Sequence, residues 1–299
     1  MIVKKFSFFL AHLFVLTALP VYAIGSIPAY PDSIDNADVQ VYYQLDYKQT
    51  NEDTLLSKEI VRLLIGSDVS YCASGHQRYL WDRLPAKTRE ATNRSHETAR
   101  MASKMVMQES EKYKTFDCAV YKNYPEVGQM TCCQHVGLDG MGGQNDYMFF
   151  VESMPSFEWV LEDGDSIVCT YACQRAATSF RGRHWTVWYA PELSWQDGPW
   201  KLCGLPGLIL KATDDTGSFC FEAIEISKPK KNFSMINKPG RSYVRTSPKR
   251  ITELLNLKYG NPEALARLLN GEVIMNQYLQ MGMRFDKGNR TPCLLEKFK

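Results

Sequence analysis

The sequence predicts an α+β fold: a mainly antiparallel twisted β-sheet, open or curled into a half-barrel, with one long helix after the first strands and short C-terminal helices. Three observations predict it. Runs of β-branched and aromatic residues with two-residue alternation recur along most of the chain. The gaps between these runs are too short for crossover helices, which favours antiparallel pairing. Helix formers concentrate in residues 85–113 and 248–270.

Taken in order, residues 39–47 alternate as a first strand, and 58–65 and 69–73 follow around a Gly66-Ser67-Asp68 turn. Pro85 suits a first helical turn, and Ala91, Thr98, Met101 and Met105 lie near one face, so residues 85–113 read as one long, mostly solvated helix. Strands are expected at 114–121 and 129–136, then after a Gly-rich turn at 137–143, at 146–152, 157–161 and 166–174. In 183–189, alternation places Arg183, Trp185, Val187 and Tyr189 on one face and His184, Thr186 and Trp188 on the other. An aromatic on each face predicts that both are covered. Leu205-Pro206-Gly207-Leu208 fits a type II turn, because Pro206 presets φ and Gly207 accepts the positive φ required next. A strand then leads to the Asp214-Asp215-Thr216-Gly217 hairpin turn and returns over 219–226. Ser247-Pro248 opens a helix over 249–258, and Asn261-Pro262 opens another over 263–269, closed by Gly271.

Residues 1–23 read as an export signal: Lys4 and Lys5, an apolar run over 6–19, and a small-residue cleavage site at Val21-Tyr22-Ala23. The run is shorter than the ~20 residues that span a bilayer. Residues 24–299 are then expected as a single β-rich domain, periplasmic or secreted. The 299 residues are 44% hydrophobic, 12% aromatic and 23% charged, which excludes collagen-like and wholly disordered classes. Cleavage removes two of 35 Lys and Arg and none of 33 acids, leaving zero formal charge. That balance argues against nucleic acid as a partner, which requires excess cations to displace phosphate counterions. Local charge is another matter. Residues 228–250 hold Lys228, Lys230, Lys231, Lys238, Arg241, Arg245, Lys249 and Arg250 with no acid, a candidate contact for an anionic membrane surface or an acidic partner.

Nine cysteines follow the export signal, where disulfides are the default, and an odd number leaves one over. Cys169 and Cys173, if on one strand, would stand roughly 13 Å apart and need separate partners. Met130, Cys132, Cys133, His135 and Met141 cluster soft donors that would suit Cu(I) if the thiols are reduced. Cys173 and His184 lack a third orienting group for nucleophilic catalysis. No G-x-S-x-G, H-E-x-x-H, Walker or dinucleotide fingerprint occurs, so no catalytic residue and no cofactor is expected.

The most distinctive stretch is 169–210. It contains Gly204, Leu205, Pro206, Gly207, Leu208 and Ile209 in succession, preceded by Gly198-Pro199-Trp200-Lys201, by Trp188-Tyr189 with Pro191-Glu192, by Gly182-Arg183, by Tyr171, Cys173 and Ala176, and by Trp159. This ordered set resembles the GLPGLI family of exported bacterial proteins, over roughly residues 39–270. It departs from the family pattern at Thr170, where glycine is usual, and in Cys169 and Cys203. The resemblance implies a periplasmic, mainly antiparallel β domain and companionship with outer-membrane uptake systems. The residues themselves suggest a ligand surface of Arg183, Trp185, Trp188, Tyr189, Glu192 and Trp200, with Arg183 and Glu192 paired, although buried aromatics also serve as core. The expected function is binding or accessory, for an apolar or peptide-like ligand. A soft-metal protein using Cys132, Cys133 and His135 is the alternative, and an unrecognised enzyme a further one.

Overall fold

The computed structural model describes residues 33–92, 94–138, 146–240, 243–280, 285 and 289–296. The export signal, Met141, Arg241 and most of the Gly-rich turn lie outside the described residues. The described chain divides into two compact units, Leu84–Lys104 and, separately, Asp32–Arg83 with Met105–Lys299. In the smaller unit, α2 (Ala86–Thr92) and the start of α3 (His96–Ser110) replace the single long helix that was expected. Ser95 restarts the helix, its hydroxyl accepting the Thr98 amide at 3.4 Å.

The larger unit carries β1 (Ser33–Tyr47), β2 (Ser57–Gly66), β3 (Ser70–Ser74), α1 (His76–Arg83), β4 (Cys118–Lys122), β5 (Gln129–His135) and β6 (Tyr147–Ser153). It continues with β7 (Val160–Val168), β8 (Tyr171–Phe180), β9 (Arg183–Ala190), β10 (Leu208–Asp214) and β11 (Phe219–Ser227). Last come β12 (Met235–Asn237), β13 (Val244–Arg245), α4 (Pro248–Gly260) and α5 (Pro262–Gln280). The strands form one open sheet in the order β13-β6-β5-β4-β3-β2-β1-β11-β10-β9-β8-β7, with β12 paired to β1. Every pairing is antiparallel except that of β13 with β6. The expected α+β class with an antiparallel sheet is therefore what the chain adopts.

β1 sits mid-sheet and is buried on both faces through residues 39–43. Its odd residues, Val41, Tyr43 and Leu45, enter the main core. On the other face Tyr42 packs edge-on against Tyr79 of α1, 5.2 Å between ring centres. The helix α1 was not expected. It is held by Glu59, fully buried on β2, whose carboxylate receives the Ile60 amide at 2.8 Å, His76 Nδ1 at 2.7 Å and the Phe116 amide at 3.2 Å.

Two further expectations need correction. The strand break anticipated near residues 162–165 is a bulge within β7, where the pairing with β8 shifts register and Gly164 takes φ 138°. The real turn falls at Cys169 and Thr170, at φ 49° and 73°, so Cys169 and Cys173 do not share a strand. At the C-terminus, Gly271 at φ 78° interrupts the helix as its sequence position suggested, but helix resumes beyond it to Gln280.

The turn at Leu205-Pro206-Gly207 is tighter than type II. The Gly207 amide donates back to the Leu205 carbonyl at 2.8 Å, a γ-turn closed around the fixed φ of Pro206. Gly207 itself has φ 155°, and a Cβ there would stand 2.3 Å from the Ala190 carbonyl oxygen. Leu208, Ile209 and Leu210 then run fully buried. Gly207→Ala is expected to cost about 3 kcal/mol or more through this clash and strain, read as a lowered denaturation midpoint with unchanged slope.

Candidate ligand cavity

The connection from β9 to β10 does not stay at the sheet edge. It folds back into the main core, where Leu202 and Trp200 are 0% and 1% exposed. Two buried lysines hold it there. Lys122 of β4 donates to the carbonyls of Gly198 at 2.7 Å and Leu202 at 3.1 Å and pairs with Asp197. Burial works against its ammonium, but the Asp197 carboxylate outweighs this and lifts its pKa above the ordinary lysine value.

Lys201, on the loop itself, is 0% exposed and bonds Glu152 at the end of β6 at 2.5 Å, and Glu296 near the C-terminus. Arg181, between β8 and β9, reaches Glu152 at 2.7 Å and Glu296 at 3.5 Å. Between these ion pairs Trp200 adopts φ 53°, a conformation bulky residues rarely hold, with its amide 3.2 Å from Cys72 Sγ. Its ring lies 5.7 Å from those of Trp185 and Phe180.

Beside Trp200 is a cavity of about 120 Å³, lined by Tyr47, Phe116, Phe150, Phe219 and Leu255 among others. The segment Pro292–Glu296 supplies a further part of its lining. The Trp200 indole N–H is buried and finds no acceptor among the described residues. An unsatisfied donor of this kind costs about 1–3 kcal/mol.

The sequence-expected residues divide by strand face. Arg183, Trp185 and Tyr189 are buried on the inner face of β9, together with Trp200 from the loop. Arg183 does not pair with Glu192. Its guanidinium bonds Asp214 at 2.5 Å and lies over the Phe219 ring, while Glu192 is exposed beyond the strand. Trp188 points to the opposite face, half-buried near Gly164, and His184 beside it is exposed, so that face is only partly covered. Gly198, Pro199, Gly204, Leu205, Pro206, Gly207, Leu208 and Ile209 shape the loop and touch no common pocket as a set; at Gly198 a Cβ would meet Ile209 at 2.8 Å. Lys201, Glu152, Arg181, Phe116 and the C-terminal segment were not expected. Only a buried-lysine environment marks them, and that environment is tertiary.

The soft-donor cluster is separated by the pleat. Cys132 faces the main core and Cys133 the smaller one behind the sheet, while His135 turns to Asp117 at 3.5 Å. Among the described residues no group of three His, Cys, Asp or Glu could hold a metal ion. None of the nine cysteines is bridged. Burial pushes the Cys72 thiol up to about 11 and Cys133 to about 12, which keeps both protonated and unreactive. Cys173 and His184 sit at opposite ends of the β8–β9 hairpin and cannot act together.

Lys201→Met is expected to remove the buried ammonium shared by Glu152 and Glu296, leaving Arg181 beside both, and cost about 3 kcal/mol or more, measured by urea unfolding. Burial pushes the Glu296 carboxyl above the ordinary 4.5, against the opposing pull of Lys201.

Comparison with known proteins yields weak structural matches only. No protein-family model matches the sequence, and no curated protein matches it. Among solved structures, PNGF-II in a C2 space group aligns with TM-score 0.44 and 14% identity over 73% of this chain and 32% of that one. MucB in complex with MucA(peri) aligns with TM-score 0.26 and 11% identity over 71% of this chain and 55% of the other. The chain thus spans about a third of the first and about half of the second.

Proposed function

We propose that the protein is an exported, periplasmic binding or accessory protein of GLPGLI type, whose curled sheet holds an apolar or peptide-like ligand beside Trp200. The observation that carries this reading is the aromatic-walled cavity of about 120 Å³ beside Trp200, whose buried indole N–H has no hydrogen-bond partner among the described residues. Mostly apolar cavities with a few convergent polar groups are the common form of ligand sites. A half-barrel arrangement of the sheet supports it. In a flat sheet the eight steps from β6 to β9 would separate these strands by about 38 Å, yet Arg181, which precedes β9, lies 2.7 Å from Glu152 of β6.

The companion surface is the basic segment. Lys228, Lys231, Lys238, Arg245 and Lys249 are exposed, whereas Lys230 is paired with Asp82 and Arg250 with Glu253. Ile236, fully buried between them, anchors the segment to the sheet through β12. These exposed cations fit an anionic membrane surface or an acidic face of an outer-membrane transporter.

Native mass spectrometry of protein purified from the periplasm is expected to show a retained organic ligand. Trp200→Phe keeps an aromatic ring, though a smaller one, and removes the N–H, and is expected to weaken retention about tenfold while the circular dichroism spectrum stays that of the folded chain. Mass spectra with no adduct, together with equal behaviour of wild type and Trp200→Phe toward extracted periplasmic lipids and peptides, would refute the reading.

A further inference from the structure

Lys201 is surrounded by groups that can condense an amine with an acid. It is 0% exposed, and its Nζ lies 2.5 Å from Glu152 Oε1 and in contact with Glu296 Oε1. The ring centres of Phe150 and Trp200 stand 5.1 and 5.9 Å from Nζ, so the amine sits against aromatic carbon rather than water. Its two acids are differently placed. Glu152 also receives Arg181 Nη2 at 2.7 Å, a setting for a carboxylate anion. Glu296 lines the cavity beside Trp200, and its burial favours the uncharged acid. One neighbour of the amine is thus fitted to act as a base and the other as an electrophile.

We propose that Lys201 Nζ and the Glu296 side chain condense into an isopeptide bond, with Glu152 as the base, which ties the β9–β10 connection covalently to the C-terminal segment. The ion pair described above is the reactant state. Burial works against the Lys201 ammonium, but its neighbours Cys132, Glu296 and Glu152 outweigh this and raise its pKa, so a proton has to be removed first. Glu152 takes it across the 2.5 Å contact. Exchanging an ion pair for two neutral groups costs less here than in water, because burial penalises the charged forms. The neutral amine then attacks Cδ of the protonated Glu296, forming the C–N bond. Arg181 Nε, 3.5 Å from Glu296 Oε2, faces the oxygen on which negative charge gathers. A second proton passes from nitrogen to the Glu296 hydroxyl, the C–O bond breaks, and water leaves into the cavity. The first proton passes from Glu152 to solvent, and nothing is oxidised or reduced.

Groups fixed in contact react as though at effective concentrations on the order of 10⁵ M or more, and the step occurs only once in each molecule. Lys122 is the internal control. It is 2% exposed, yet it pairs with the one carboxylate of Asp197 and otherwise donates to the carbonyls of Gly198 and Leu202, so it has no second acid to complete the reaction.

Peptide mapping of the full chain purified from the periplasm tests the bond. Trypsin is expected to leave Lys201 uncut and to release a branched peptide joining the stretches that hold Lys201 and Glu296, lighter than its two parts together by one water. Linear peptides alone, or a branch from Lys201 to Glu152 instead, overturn the proposal. Glu152→Gln keeps both reacting groups and removes the base. In a time course after cell-free synthesis it is expected to slow the appearance of the branched peptide about a hundredfold, and an unchanged rate overturns the proposal. If that variant does not fold, the wild-type digest decides.

Discussion

Two buried ammonium groups organise the interior of the larger unit. Lys122 and Lys201 are 2% and 0% exposed, and between them they hold the β9–β10 connection inside the sheet. Each is expensive to desolvate, and each is compensated by carboxylates and carbonyls arranged around it. Lys122 gathers Asp197 and the carbonyls of Gly198 and Leu202. Lys201 links the loop to the far end of the sheet at Glu152 and to the C-terminal segment at Glu296. Three stretches remote in sequence are thereby tied to one point, and the cavity beside Trp200 is the space they leave.

The glycines of the connection belong to the same constraint. A loop drawn into a core must approach other backbone closely, and Gly207 against the Ala190 carbonyl, or Gly198 against Ile209, allows contacts that a Cβ would block. The residues of the hexapeptide do not form a pocket. They permit one, by letting Trp200 and Lys201 reach the middle of the sheet. A left-handed Trp200, its indole N–H without a partner among the described residues, is the strained member of this arrangement, and such strain persists only where surrounding contacts over-determine it.

Much of the strand pattern was legible in the sequence. The alternation of Arg183, Trp185, Val187 and Tyr189 assigns the inner face of β9 correctly, because side chains on a strand must alternate whatever packs against them. The hairpin at 214–217 was likewise readable from its turn residues. Less legible were the places where one local signal competes with another. Glu162-Asp163-Gly164-Asp165 has the composition of a turn but is accommodated as a bulge, and the turn passes to Cys169 and Thr170, which carry no turn signature. The Cys132 and Cys133 pair looked like a joint donor set in one dimension and is divided between two cores by the pleat.

What the sequence by itself determined was the class of fold, the faces of the strands and the existence of a glycine-dependent bend before Leu208, all of which depend on neighbours within a few residues. What only the tertiary structure decided was the partnership of the charged groups. Arg183 with Asp214 and the Leu294 carbonyl, or Lys201 with Glu152 and Glu296, join positions 31 to 111 residues apart. Nothing local distinguishes such lysines and arginines from solvated ones. A buried ion pair is specified by the distance between two backbones after folding, and that distance is set by sheet order and curl rather than by the residues on either side of the charge.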